Sequence, residues 1–247
     1  VAKAVTLLSG GLDSTTLAYM LKEQMGFDEI IALSFDYGQR HKKELAVAIQ
    51  IARGLGAEHH IIKLGVDEGA YTAPLATVLG DSVLVNANAE VPDGHYADEN
   101  MKQTVVPNRN AIMLSIAYGI ALASNADVVA FGAHAGDHTI YPDCRPEFVE
   151  SLSDTFRLGA AWTTDELEGV PEIKGPFLFK TKADIAKLAH DMNVPIAQTW
   201  SCYKGGDIHC GTCGTCYERR EAFEVAGVPD PTEYLDNTTK YNDPTEA

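Results

Sequence analysis

The chain has 247 residues, 45% of them hydrophobic and 22% charged, the balance of a folded α/β protein with no low-complexity half. Its 35 acidic residues against 19 basic ones give a formal charge of -16, so the surface as a whole repels a nucleic-acid duplex or an anionic membrane. No apolar stretch approaches the ~18 residues of a membrane span, no secretory leader pattern opens the chain, and four of the five cysteines crowd between Cys202 and Cys216, all of which points to a cytoplasmic protein that binds metal rather than to disulfides.

Residues 3–8, KAVTLL, are a short apolar run with β-branched members that stops at Ser9, Gly10 and Gly11, as a buried parallel strand does. A helix is predicted over residues 14–24 and a strand over 29–35. The next helix carries Leu45, Ala48, Ile49, Ala52 and Leu55 on one face and is stopped by Gly54 and Gly56. A strand over residues 58–64 completes a β-α-β-α-β order, the pattern of a parallel sheet wrapped by helices. Residues 65–107 break the rhythm with Gly, Pro, Asn and Asp and read as a long loop or lid over a site. Alternation resumes with a helix over 110–124 and a strand over 127–134, and residues 145–158 and 182–192 also read as helical. The densest basic run, Arg40, Lys42 and Lys43, reads as a solvated helix face, and the tail from Pro229 is expected to be poorly ordered unless a partner subunit holds it.

The stretch Ser9-Gly10-Gly11-Leu12-Asp13-Ser14 lies at a strand end and directly before a helix, where exposed N–H groups and the helix dipole favour a phosphate. It is neither a Walker A loop, since no Gly-Lys pair follows, nor the dinucleotide pattern G-x-G-x-x-G. A plain Gly-Gly turn with a serine cap explains the turn but not the whole combination. SGGLDS resembles the pyrophosphate-binding loop of the N-type ATP pyrophosphatases, the PP-loop enzymes. The resemblance implies that Ser9, Gly10, Gly11, Asp13 and Ser14 hold the pyrophosphate leaving from ATP while a substrate oxygen attacks the α-phosphorus. The nucleotide segment so implied runs from Leu8 through Ser9, Gly10, Gly11, Leu12, Asp13, Ser14, Thr15, Thr16 and Leu17 to Ala18. Such chemistry needs positioning and charge neutralisation, from N–H donors, hydroxyls, Mg2+ and a Lys or Arg.

Cys202, Cys210, Cys213 and Cys216 have the spacing C-x7-C-x2-C-x2-C, which suits a tetrahedral Zn2+ with a closed shell and a structural role. A four-thiolate iron–sulfur cluster is the competing reading, and a thioredoxin-like redox pair fits less well because the motif does not open such a unit. His209 is read as supporting the thiolates or exposed. Cys144 stands apart, in a charged turn with Tyr141, Asp143 and Arg145 that points to a site rather than a core.

Together SGGLDSTT, FDYGQRH from Phe35, VPNRN from Val106, YPDCRPEF from Tyr141, KTKADI from Lys180 and the run 201–220 resemble the 7-cyano-7-deazaguanine synthase family over essentially the full chain. The resemblance implies a Rossmann-like fold, adenine nucleotide alpha hydrolase-like, over residues 1–198, a zinc-binding helical module over 199–228 and a tail over 229–247. It implies ATP-dependent conversion of 7-carboxy-7-deazaguanine and free ammonia to the nitrile through an adenylated acid and an adenylated amide, for queuosine-type bases, in a homodimer. Ser9, Asp13, Ser14, Arg109 and Lys182 are then the catalytic candidates, with Lys180 a further phosphate candidate. Tyr37, Asp143, Cys144 and Arg145 are the candidates for the substrate ring and its carboxylate. His134, Asp137 and His138 with Asp143 fit no metal spacing and are left out of the metal set. Two rivals stand beside this reading. One is a PP-loop tRNA-thiolating enzyme, opposed by the charge of -16; the other is a zinc-containing nucleotide-fold adaptor without activity, opposed by the intact Ser9, Asp13 and Ser14.

Overall fold

Among the described residues five segments pair side by side as parallel strands, β1 (Lys3–Leu7), β2 (Glu29–Asp36), β3 (Glu58–Lys63), β4 (Val128–Ala130) and β5 (Glu172–Lys174), in the spatial order β3-β2-β1-β4-β5. They are joined by α1 (Leu12–Glu23), α2 (Lys43–Leu55), α3 (Arg109–Ser124), α4 (Pro146–Ala160), α5 (Lys182–Asp191) and α6 (Gly214–Ala226). The computed structural model describes residues 1–39, 43–65, 82–86, 89–95, 99–161 and 169–238.

Successive strand residues face opposite sides of the sheet, so neighbours on β1 enter different cores. Val5, opposite Ile31 and Val129 in register, packs with Leu114 and Ala117 of α3 and Val149 of α4. Ala4 packs on the other face with Leu17 and Leu21 of α1, Ile185 of α5 and Phe223 of α6. With both faces covered, the middles of β1, β2 and β4 are buried, as a parallel sheet requires, whereas β3 at the sheet edge, EHHIIK, is largely exposed. A third cluster joins Leu8 and α2, through Ala48 and Ile51, to Trp200, Cys202, Cys213 and Cys216, so the cysteine segment shares its packing with the sheet.

The strand order reverses between β1 and β4, and the loops leaving their carboxyl ends diverge around a crevice. The first of these loops is Ser9-Gly10-Gly11 and the second runs from Phe131 to His134. Both can approach their neighbours closely because they carry glycine. Gly10 has φ +83° and a Cβ there would lie 2.7 Å from the Glu44 carbonyl oxygen; a Cβ on Gly132 would lie 3.3 Å from the Ser14 nitrogen.

Several elements differ from the sequence expectation. Helix α1 begins at Leu12, because extended Gly11 already serves as its cap. The strand expected over 127–134 ends at Ala130, where the neighbouring β5 ends at Lys174, and β5 itself is three residues between Pro171 and Gly175, too short to show a period. Within 65–107 the described residues include a 3-10 helix, Glu99–Thr104, and Val83, whose N–H donates to the Gln103 carbonyl at 3.0 Å; residues 66–81, 87–88 and 96–98 lie outside the described residues. Arg40 and Lys42 lie outside them too, whereas Lys43 is not merely solvated. Its ammonium donates to the carbonyls of Gly206 (3.1 Å) and Asp207 (2.6 Å) and sits 3.8 Å from the Trp200 ring centre. The tail is held by its own chain as far as residue 238: Leu235 N–H bonds the His209 carbonyl at 2.8 Å, and Tyr234 OH donates to Asp230, which pairs with the fully buried Arg219. Residues 239–247 lie outside the described residues.

Candidate active site and cysteine centre

The crevice at the strand-order reversal has a volume of about 280 Å³. Its floor is the loop after β1. Ser9 N–H donates to Ser14 Oγ at 3.1 Å, the two serine hydroxyls are 3.0 Å apart, and Gly11 N–H reaches Ser9 Oγ at 3.3 Å. Glycine at the cap leaves α1 without a capping side chain, so no protein oxygen competes for its first-turn N–H groups. That arrangement, at the positive end of the helix dipole, suits a multiply charged anion.

One wall is a charged cluster assembled from four separate elements. The side chain and backbone of Thr181 exchange hydrogen bonds with Asp184 in a capping box, which fixes the start of α5 and projects Lys182 inward. The Lys182 ammonium lies 2.6 Å from Asp13 Oδ2, 3.3 Å from Glu218 Oε2 on α6 and 3.4 Å from His134 Nε2. His134 Nδ1 accepts the Gly136 N–H at 3.1 Å, which turns Nε2 towards Asp137 (3.6 Å) and Glu218 (3.7 Å). Burial works against the charge of Asp13, yet Lys182 and His134 outweigh it and hold the carboxyl below its usual range. For Glu218 burial prevails over Lys182 and the pKa is raised; for Lys182 burial is overcome by Asp13 and Glu218, so the ammonium is held more firmly charged. Asp13 Oδ1 is buried without a hydrogen-bond partner among the described residues. The carboxylates of this cluster are compensated by Lys182 and His134, and the single oxygen of Asp13 is what it leaves over for an incoming group.

The rest of the polar lining carries Tyr37, Glu44, Arg109, Asn110, Tyr141, Cys144 and Tyr203, and joins the charged cluster where the Tyr141 N–H donates to the Asp137 carbonyl at 2.8 Å. Gln39 pins the turn before it, donating to the Phe35 carbonyl and accepting the Tyr37 N–H, both at 2.9 Å. Arg109 is the first residue of α3 and reaches the Tyr37 hydroxyl at 3.4 Å.

Of the residues proposed from the sequence, Ser9, Asp13, Ser14, Arg109, Lys182, Tyr37 and Cys144 converge on the crevice, as do Leu8, Gly11 and Leu12. Gly10 shapes the loop from behind, its carbonyl accepting the Trp200 N–H at 2.9 Å. Thr15, Thr16, Leu17 and Ala18 point into the core instead, since the helical turn carries them away from the loop; Thr16 Oγ1 donates back to the Leu12 carbonyl at 2.7 Å. Asp143 and Arg145 do not line the crevice. Asp143 is occupied by the start of α3, accepting the Asn110 N–H at 2.9 Å, and exposed Arg145 donates to the His138 carbonyl at 2.9 Å. Lys180 is also outside the lining, while its carbonyl accepts the Ala135 N–H at 3.0 Å. Burial pushes the Cys144 thiol well up, and Asn110 Nδ2 donates to its sulfur at 3.1 Å, so it is a neutral wall residue and not a nucleophile. Sequence reasoning passed over Glu44, Glu218 and Tyr203 and set His134 and Asp137 aside. Their spacing matches no ligand motif, and the one signal for Glu218 is its place two residues beyond Cys216 on the same helix.

The second centre lies behind the crevice. The sulfurs of Cys202, Cys210, Cys213 and Cys216 all fall within 4.8 Å of one another, and those of Cys210 and Cys216 are 3.9 Å apart. Metal–sulfur bonds of ~2.3 Å in a tetrahedron place sulfurs about 3.8 Å apart. Backbone N–H groups of Thr212 and Cys213 approach Cys210 Sγ at 3.4 and 3.3 Å, and that of Cys210 approaches Cys202 Sγ at 3.4 Å, as thiolates require. The set could hold a metal ion. His209 is no ligand: it accepts the Ser201 N–H at 3.1 Å, lies 4.1 Å from the Trp200 ring, and is pushed down to about 4 by burial and by Arg219.

Comparison with known proteins agrees with this layout. The family model described as "Queuosine biosynthesis protein QueC" matches residues 3–227. The 7-cyano-7-deazaguanine synthase of Paracoccus denitrificans (strain Pd 1222) is 49% identical over 236 residues, covering 95% of this chain and 94% of its own. That of Rhizobium johnstonii (strain DSM 114642 / LMG 32736 / 3841) is 50% identical over 237 residues, covering 95% and 92%. Among solved structures, NMN synthetase from Francisella tularensis aligns with 92% of this chain and 77% of its own at a TM-score of 0.47 and 14% identity, too distant to carry a functional argument.

Proposed function

The chain belongs to the QueC family of queuosine biosynthesis proteins, and we propose that it converts 7-carboxy-7-deazaguanine, ammonia and ATP into 7-cyano-7-deazaguanine. The observation that carries the reading is one crevice that joins an anion-binding loop, a lysine and an aromatic wall, in a chain about half identical to synthases along 95% of its length.

The substrate carboxylate attacks the α-phosphorus of ATP, and the bond to the β-phosphate breaks. The leaving pyrophosphate takes the electron pair into the loop, where Ser9, Ser14, the first-turn N–H groups and Lys182 receive it. Ammonia then adds to the acyl adenylate and AMP departs, leaving the amide. The proton released by the adding nitrogen passes to the carboxylate of Glu218, whose basicity burial raises. In the second round the amide oxygen attacks ATP and leaves with AMP as the nitrogen loses its protons, which gives the nitrile. Both adenylates must be kept from water for the nitrile to form.

Asp13 Oδ1 is the group free to hold Mg2+, which would neutralise charge on the phosphates. Zn2+ would sit among Cys202, Cys210, Cys213 and Cys216 as a closed structural ion. Four sulfurs all within 4.8 Å of one another favour a single ion over a cubane, in which each sulfur serves a different iron. The buried Cys144 thiol and the charge of -16 weigh against a tRNA thiolase, and direct nucleic-acid binding is not part of this reading. No helix among the described residues is long and apolar enough to cross a membrane. The unpaired cysteines suit the cytoplasm, and the family resemblance suits a homodimer, which sedimentation would measure.

The test is incubation of purified protein with ATP, Mg2+, ammonium and 7-carboxy-7-deazaguanine, following AMP, pyrophosphate and product mass. Nitrile formation that Asp13→Ala abolishes is the expected result. AMP without amide or nitrile would overturn the substrate, and folded, metal-replete protein that cleaves no ATP would favour the adaptor.

A further inference from the structure

With Asp143 and Arg145 outside the crevice, the polar edge of the substrate ring must meet other groups. Asp13, Asp137 and Glu218 are already engaged with Lys182 or His134. Gln39 has both ends of its amide committed to backbone. One further carboxylate lines the cavity, that of Glu44 in the first turn of α2, for which no hydrogen bond or ion pair exists among the described residues. Its position relative to the phosphate loop is fixed, because its own carbonyl abuts Gly10. Arg109 lines the same wall close enough to oppose the effect of burial on Glu44, which pushes that carboxyl up to about 7. An acid in that state ionises readily once N–H donors arrive.

The chemistry of the ring supplies the match. A 7-deazaguanine presents N1–H and the 2-amino group as adjacent donors, followed along the same edge by the O6 acceptor and the 7-carboxylate. A carboxylate accepts two such donors, and a guanidinium beside it donates to two such oxygens. We propose that Glu44 is the specificity-determining residue of the ring pocket, accepting from N1–H and the 2-amino group, with Arg109 beside it on the edge that bears O6 and the carboxylate. The inference rests on the synthase reading above. It places the reacting carboxylate between Arg109 and the loop and explains why the pocket selects a guanine-like ring.

The experiment compares wild type and Glu44→Gln on 7-carboxy-7-deazaguanine and on the analogue lacking the 2-amino group. Wild type is expected to prefer the parent acid by about 10- to 150-fold in kcat/KM, the range for a hydrogen bond to a charged group. Glu44→Gln is expected to lose about as much on the parent while its KM for ATP is unchanged, and its preference between the two acids falls at least tenfold. Full retention of the preference in Glu44→Gln, or equal rises in both KM values, would overturn the proposal. So would a wild type indifferent to the 2-amino group, a result that needs no variant to fold. Failure of wild type to make nitrile from the parent acid at all is a separate outcome, and it overturns the synthase reading on which the proposal stands.

Discussion

Lys182→Ala removes the only ammonium in the charged wall among the described residues and leaves Asp13, Asp137 and Glu218 facing one another around His134. Breaking a fully buried ion pair costs about 3–5 kcal/mol. Lys182 and Asp13 keep 17% and 23% of their side-chain exposure, so solvent screens part of this and a loss of about 2–3 kcal/mol is expected. For a domain of this size that lowers the thermal midpoint by about 4–12 °C. Pyrophosphate release at saturating ATP should fall by about 10²–10³-fold, the usual effect of deleting one charge-stabilising donor. The pH dependence has a definite sign. In wild type the Asp13 pKa lies below its ordinary 3.8, so its contribution to stability is present above that value and lost as pH falls through the folded one. Without Lys182, burial raises the Asp13 pKa; the stability deficit is then largest near neutrality and shrinks as the carboxyl takes up a proton. Differential scanning calorimetry between about pH 8 and about pH 5, beside a pyrophosphate-release assay, measures both effects. A deficit independent of pH, or activity within tenfold of wild type, would refute the electrostatic account.

Gly10→Ala forces a side chain onto φ +83° and against the Glu44 carbonyl, and should cost about 2 kcal/mol or more and raise the KM for ATP; unchanged ATP kinetics would mean that α2 retreats freely from the loop. Arg219→Met leaves Asp230, Thr199 and Ser201 without their shared donor, and a loss of about 3–5 kcal/mol in urea unfolding is expected, with earlier proteolysis near residue 230. Elemental analysis should find one zinc ion per chain. Cys213→Ser should abolish it, lower the thermal midpoint and impair pyrophosphate release, because the same helix carries Glu218 to Lys182; iron with visible absorbance would instead establish a cluster.

Local pattern made much of this protein readable. The runs of β1 and β2 have the apolar middles and bounding glycines of buried strands, and the alternation of β1 to β3 with helices admits few topologies. SGGLDS and C-x7-C-x2-C-x2-C carry their chemistry within a few residues, so the anion loop and the four-thiolate set were visible before any fold. Strand β5 was not, because three residues between Pro171 and Gly175 take their conformation from pairing with β4 and not from their own pattern. Asp143 and Glu44 mark the boundary most plainly. Each is an acidic residue near a helix start, and nothing local says which one faces the ligand. Asp143 is spent on the Asn110 N–H, while Glu44 meets the crevice because α2 packs against Gly10. Likewise Lys182, Asp13, His134 and Glu218 are far apart in the chain and meet only where the sheet reverses its strand order. Sequence alone determined which groups could bind phosphate and metal, because those motifs are local; which charges would face one another was decided by tertiary packing, since their pairing energy exists only once separate elements bring them within a few ångströms.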